Sequence, residues 1–439
     1  MLSTMICNLT SIPQIINDRT YATKQNLIVK TIKKDEGTLY IIKYDKSKLN
    51  KDNTKTLGMF RSIITDGKKI ISFSPQKSID YEDFKKENIL SSKCSIEKYI
   101  EGTMINVFIN PLTNNWEIST RSVLGAHGKF FRDAKYSFRE MFFETLESQG
   151  INLHLFDKNK SYSFVLQHKE NKIVLNHTEN KLYLTNVYEF TEFSVIEHDS
   201  QTIAKTLNIP YPEIFTNLNS WNDTEWKIAN LENEKKHNIV GIMVKNSTGE
   251  RTKIRNKAYD YVKKLKGNNP KMQFQYYSLR QLNSVTECLK FYPEYTDLFN
   301  QYRNDLHNWT RQLHQNYYDC FINKKQKLKT YPHQFKIHMW NLHQLYLNEL
   351  KPQGKYMSFR EAIYYVNGIH PAKLMYAINY LYRKKDDKTE DKKTEATAET
   401  TAEATAETTT EAIAETEDVT TVETKEIDEY VLVETMTND

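Results

Sequence analysis

The sequence predicts an α+β protein built on antiparallel sheets, followed by an all-helical region and a disordered acidic tail. Three observations carry this. Between residues 31 and 266, short β-type runs alternate with turns and isolated helical segments. From about 272 to 384, Tyr, Leu and Trp recur at helical spacing with few strand signals. From 386 to 439, glutamates recur every four residues among Thr and Ala with no apolar stripe to bury, so the segment reads as disordered.

The β-type runs are TLYIIKYD, KKIISFS, TMINVFI, WEISTRS, YSFVLQH, KIVL, KLYLTNVY and NIVGIMVK. They are punctuated by turns at Asp66-Gly67 and Pro111–Asn115, and residues 135–149 read as a helix between them. Residues 1–30 are read as an N-terminal extension, 31–271 as the sheet-bearing domain, 272–385 as the helical domain and 386–439 as the tail. Near the end of the helical part, Ser358-Phe-Arg-Glu361 is a capping box, Gly368 a helix stop and Pro371 a helix start. That pair reads as a packed hairpin, with a DNA-reading helix-turn-helix as the alternative. His333, His338 and His343 recur every five residues, which does not place them on one helix face and argues against a metal site.

Four widely spaced cysteines without a C-x-x-C pair argue against a disulfide framework or zinc ribbon and suit a reducing compartment. The opening residues lack a cationic n-region and no run of eighteen apolar residues occurs, so neither a signal peptide nor a membrane span is expected. The net charge of +5 conceals an asymmetry. Residues 386–439 carry 18 acidic residues against 4 lysines, a net of −14, leaving +19 for residues 1–385. So basic a body attracts polyanions, phosphate backbones foremost, and the tail could compete with them intramolecularly.

An ordered set of short motifs runs from about Leu57 to Lys271. LGMFRSIITDGKKIISFSPQKS carries Arg61 and Lys77; YIEGT spans Tyr99 to Thr103; ISTRS carries Arg121. FVLQHKENKIV, NIVGIMVK and TKIRN follow, the last with Lys253 and Arg255. In order and spacing this set resembles the phage T4-type ATP-dependent RNA ligases, especially members from large DNA viruses. The resemblance implies an ATP-grasp-like nucleotidyltransferase domain. It implies a nucleotide site at Arg61, Lys77, Tyr99, Glu101, Gly102, Arg121, Lys245, Lys253 and Arg255. If the protein is active, it implies ATP and Mg²⁺ as cofactors and a lysyl-AMP intermediate. It further implies RNA rather than DNA as partner, and a host cytoplasm or virus factory as setting.

Departures from the family pattern fall where the chemistry is most demanding. Tyr99 stands at the nucleophile position, and Val165 and Val240 stand at two acidic positions. Glu101 replaces the motif aspartate, and Gly102 permits a close backbone approach. Lys98, one residue from the motif position, is the candidate for a substitute nucleophile, the alternative being a solvated lysine at a strand end. Strand alternation, however, sets Tyr99 and Glu101 on one face and Lys98 with Ile96 and Ile100 on the other. Tyr99 either stacks on a base or packs. Gln167 and His168 lie near the expected nucleotide, and Lys245 shares a strand direction with Gly241 and Met243. Downstream, Arg251, Lys253, Arg255, Lys257, Lys263, Lys264, Lys266 and Lys271 precede Phe274, Tyr276 and Tyr277, a pattern that suits a phosphate backbone with unstacked bases. Three functional classes are consistent with these residues. They are a catalytically degraded ligase-like binder of nucleotide or RNA, an active ligase using Lys98, and a non-enzymatic interaction protein.

Overall fold

The computed structural model describes residues 3–90, 94–130, 134–234 and 236–380. The expected acidic tail at 386–439 lies outside the described residues. What is described is α+β, with three antiparallel sheets followed by a helical C-terminal region.

The largest sheet has six strands in the order β1 (Ser3–Asn8), β11 (Ser194–His198), β10 (Lys181–Thr191), β9 (Lys160–Gln167), β7 (Thr103–Asn110), β8 (Asn115–Ser119). A four-stranded sheet joins β2 (Leu27–Lys34), β3 (Gly37–Tyr44), β4 (Ile63–Thr65) and β5 (Ile70–Phe73). A three-stranded sheet runs β13 (Arg251–Arg255), β12 (Gly241–Lys245), β6 (Ser95–Lys98). In β3, Leu39, Ile41, Ile42 and Tyr44 are all buried because the strand is covered on both faces. Its sequence is accordingly a near-continuous apolar run instead of an alternation.

Helices α1 (Ile12–Asn17) and α2 (Arg19–Lys24) precede β2; α3 (Thr54–Leu57) and α4 (Tyr81–Glu87) flank β4 and β5. Helix α5 (Phe138–Ser148) starts at a complete Ser137/Glu140 capping box and buries Met141, Phe142 and Thr145. They join Ile105, Val107, Phe164 and Leu166 of the six-stranded sheet in one core. Helices α6 (Ser200–Thr206) and α7 (Trp221–Asn233) follow. The first thirty residues are no mere appendage. Strand β1 pairs with β11, and Leu9, Ile12, Ile15 and Ala22 share a core with Ile42, Ile63, Phe73 and Tyr188.

The helical region comprises α8 (Lys257–Lys266), α9 (Met272–Gln281), α10 (Val285–Phe291), α11 (Thr296–Tyr317), α12 (His333–Leu345), α13 (Phe359–Asn367) and α14 (Pro371–Ile378). Ser358 caps α13 by accepting from the Glu361 amide, and Gly368 ends it, as the sequence predicts. One expected strand is absent. KIVL (172–175) is a bend, and its Ile173, Val174 and Leu175 pack into the helical core with Tyr259, Tyr276 and Tyr292. Apolar β-branched residues packed against helices give the same local signal as a strand.

Candidate functional site

Strand β6 belongs to the three-stranded sheet and β7 to the six-stranded one, so Tyr99–Gly102 is the crossing between them. The crossing needs glycine. Gly102 has φ +151°, and a Cβ there would stand 2.4 Å from the Leu166 carbonyl oxygen and 2.7 Å from Val165 Cγ1. The close approach is to the neighbouring strand's own backbone. Gln167 pins the crossing by donating from Nε2 to the Glu101 carbonyl oxygen at 2.8 Å.

A cleft of about 210 Å³ opens at this crossing, bounded by β6, β12, β13, β7, β9, β10 and α8. Its lining contains eight basic residues (Arg61, Lys77, Lys98, Lys245, Arg251, Lys253, Arg255, Lys263) and two acidic ones, Glu97 and Glu101. The volume is below the roughly 300–1,000 Å³ of small-molecule pockets, so a nucleotide-sized ligand would extend beyond it. Val165, Val240 and Met243 line the cleft as buried apolar groups, together with the partly buried Met104 and Ile173.

Both carboxylates are committed to the protein. Glu101 is buried and accepts from the Val174 amide (3.1 Å), the Leu175 amide (3.1 Å) and the Tyr259 hydroxyl (2.6 Å). His177 Nε2 lies 3.4 Å from Glu101 Oε1. Burial, then the neighbouring Glu101, holds the Tyr259 phenol far above its ordinary range, so it remains a donor. Glu97 is paired with Lys245 at 2.8 Å and accepts from Tyr211 (2.7 Å) and Ser95 (2.9 Å). Lys245 also donates to the Thr185 carbonyl at 3.2 Å. Glu97 was missed by the sequence reading, although it has the same parity as Tyr99 and Glu101. Tyr259 carried no signal, since it meets Glu101 only through packing of α8, 158 residues away.

Lys98 shares a face with Ile96, as strand alternation predicts. In β6, Lys98 pairs with Ile242 and Ile96 with Val244, while Glu97 pairs with Met243 of the cleft lining, so the Lys98 side chain lies on the face opposite Glu97 and the residue only borders the cleft. Its ammonium is 4.0 Å from Glu213, with the side chain 41% exposed. Tyr99 packs at the edge of the helical core, 5.9 Å from the Arg255 guanidinium, which is itself paired with Asp260 at 2.7 Å.

Several expected cations are elsewhere. Arg121 is not in the lining; its Nε donates to the Arg61 carbonyl (3.0 Å), and its guanidinium lies 4.4 Å over Tyr44. It therefore holds Arg61 from behind. Arg251 lines the cleft but is buried, donating to the Gln76 (2.7 Å) and Pro75 (3.1 Å) carbonyls. Burial, with Arg61 adding repulsion, lowers its pKa to about 10. Lys257 is exposed and 3.5 Å from Glu232, while Lys264 and Lys271 are exposed outside the cleft. Lys266 is buried and donates to the Lys172 carbonyl. The eight cations of 251–271 thus do not form one phosphate-facing surface, because Arg251 in β13 and Lys266 in α8 are turned inward. His168 is buried 3.5 Å from Glu144, outside the cleft lining.

Burial lowers the Lys266 pKa from 10.5 to about 8. Between these values the unfolded chain binds the proton and the folded chain does not, so this group's contribution to stability rises with pH across that window. The expected result is that Lys266→Met is favoured over wild type most strongly at pH 7, with the gap narrowing from pH 8 to 10.5. Urea midpoints measured across that range check it; a gap that is constant with pH would refute the assignment.

Among the described residues, no group of three or more His, Cys, Asp or Glu is placed to hold a metal ion. No described helix is long and apolar enough to cross a membrane.

No family model matches the chain, and no curated protein matches it in sequence. Among solved structures it is similar to an archaeal ATP-dependent RNA ligase, with 12% identity, 90% of this chain and 85% of that chain covered, and a TM-score of 0.34. It is also similar to a mutant of Naegleria gruberi RNA ligase with ATP and Mn, with 13% identity, 58% of this chain and 83% of that chain covered, and a TM-score of 0.32.

Proposed function

We propose that the chain is an RNA-ligase-like, nucleotidyltransferase-fold protein that binds the phosphates of a nucleotide or RNA in the basic cleft without forming a covalent nucleotide adduct. The observation that carries this is the cleft's charge. Eight basic residues line it against two carboxylates, and although Lys245, Arg251 and Arg255 have partners within the protein, both carboxylates do as well, which leaves the excess of charge positive. Phosphate is favoured in such a setting. A catalytic divalent ion does not fit the donor set: Glu97 is spent on Lys245 and Tyr211, Glu101 on two amides and Tyr259, and Val165 and Val240 offer no oxygen. The motif order in the sequence supports the same family of reading.

One observation favours a second reading. Lys98 borders the cleft, so an active ligase using it with ATP and Mg²⁺ is the alternative. Incubation with α-labelled ATP or GTP and Mg²⁺ or Mn²⁺ separates the two. The expected result is no acid-labile, alkali-stable adduct, together with single-stranded RNA binding that weakens with salt. Each neutralised phosphate adds roughly 0.7 to the slope of log affinity against log salt, so Lys98→Ala and Lys263→Ala should each flatten it by about that amount. An adduct that disappears in Lys98→Ala would establish the active reading. Absence of both adduct and RNA or nucleotide binding at low salt would leave only an interaction protein.

A further inference from the structure

Helix α12 presents an unusual surface. It buries Phe335, His338, Met339 and Leu342. Ile337 is nonetheless 57% exposed, Trp340 48% and Leu347, just beyond the helix, 38%. Spacing of three and seven residues aligns these side chains along one outer stripe. In sequence, a lysine-rich run bounded by Asp319 and Glu349 leads into and spans this helix. From residue 320 to 348 the chain has five lysines (Lys324, Lys325, Lys327, Lys329, Lys336) and no acidic residue. Lys325 is partly neutralised by Asp319 at 2.9 Å. An exposed apolar stripe beside like charges suits an acidic partner carrying a few large apolar groups.

The chain itself contains such a partner, and the structure shows where it starts. Tyr380, the last described residue, stacks on His333, the first residue of α12, with ring centroids 5.5 Å apart. The remaining 59 residues therefore continue from the foot of this helix. Near their end, Ile427, Tyr430, Val431, Leu432 and Val433 are clustered among Glu423, Glu426, Asp428, Glu429 and Glu434. Elsewhere these residues are a mixed-charge stretch at 383–393 and then mainly Glu, Thr and Ala with isolated larger apolar residues.

We propose that the Ile427–Val433 segment docks on the Ile337–Trp340–Leu347 stripe of α12, its flanking carboxylates meeting the lysines of 324–336. Reach permits it. A coil of the 47 residues from Tyr380 to Ile427 has a root-mean-square span of roughly 35–40 Å, and α12 is only about 20 Å long. Tethering at the helix foot raises the effective concentration into about the millimolar range, so a weak contact suffices to populate the docked state. The docking site is distinct from the basic cleft and does not depend on what the cleft binds.

Hydrogen exchange on the full-length protein tests this. The expected result is protection of residues 427–433 and of α12 in 50 mM salt, reduced several-fold in 0.5 M salt. Protection should be lost both in Ile337→Ser/Trp340→Ser and, separately, in Tyr430→Ser/Leu432→Ser. The tail variant keeps the test valid if the helix variant perturbs α12 itself. Absence of protection in 427–433 overturns the proposal. So does protection that grows with protein concentration, which assigns the stripe to a second copy. Protection abolished by Lys98→Glu/Lys263→Glu but not by the α12 variant places the tail in the cleft and overturns it too. Protection of α12 only on addition of oligouridylate assigns the stripe to nucleic acid, with the same consequence.

Discussion

Glu101→Ala is expected to destabilise the protein by about 3–5 kcal/mol, the range for removing one member of a buried, charge-assisted network. The carboxylate joins three parts of the chain. It belongs to the crossing between two sheets, it accepts from two amides of the 171–177 bend, and it accepts from Tyr259 of α8. Alanine would leave those three donors buried without an acceptor. Glu101→Gln preserves the shape and one carbonyl oxygen, so its cost should be clearly smaller, about 1–3 kcal/mol. Urea unfolding with an unchanged slope reads both values. If alanine and glutamine cost the same small amount, under about 1 kcal/mol, Glu101 is not the hub that its contacts describe.

Gly102→Ala should cost about 2–4 kcal/mol, combining strain at positive φ with overpacking. The obstacle is backbone: the added Cβ meets the Leu166 carbonyl oxygen at 2.4 Å, and a β-sheet partner cannot swing aside as a side-chain tip can. Gly241→Ala should behave alike. Its φ is +147°, and a Cβ would lie 2.1 Å from the Ile254 carbonyl oxygen in β13. Both glycines sit where strands bordering the cleft approach one another, so a folded variant should also bind RNA less tightly. A drop in the urea midpoint of either variant corresponding to less than about 0.5 kcal/mol would contradict the close approach.

Much of the secondary structure was legible because its causes are local. The Ser358 cap, the Gly368 stop and the Pro371 start are short-range hydrogen-bonding and φ preferences, and the chain uses them as written. The strand runs at 38–45, 103–109 and 181–188 were likewise readable from β-branched and aromatic content. KIVL was misread for the same reason, since apolar β-branched residues fit a strand or a bend packed on helices. Strand β1 and helices α1 and α2 were passed over because each is only six residues long; their burial comes from partners such as Tyr188 and Val195.

The site divides in the same way. By itself the sequence determined that the body is basic, that Tyr99, Val165 and Val240 are neither lysine nor carboxylate, and that position 102 is a glycine able to allow a close backbone approach. These are matters of residue identity. Only the tertiary structure decided where the side chains go. Alternation within β6 assigned Lys98 to the face opposite Glu97, but what Glu97 meets, Lys245 of β12 and Tyr211, is set by packing between distant segments. Whether a cation faces phosphate or a carbonyl depends on what packs over it from far along the chain. Arg251 is turned onto Pro75 and Gln76, and Lys266 onto Lys172. Local periodicity can assign a face, but burial of charge is set by long-range packing that no local pattern encodes.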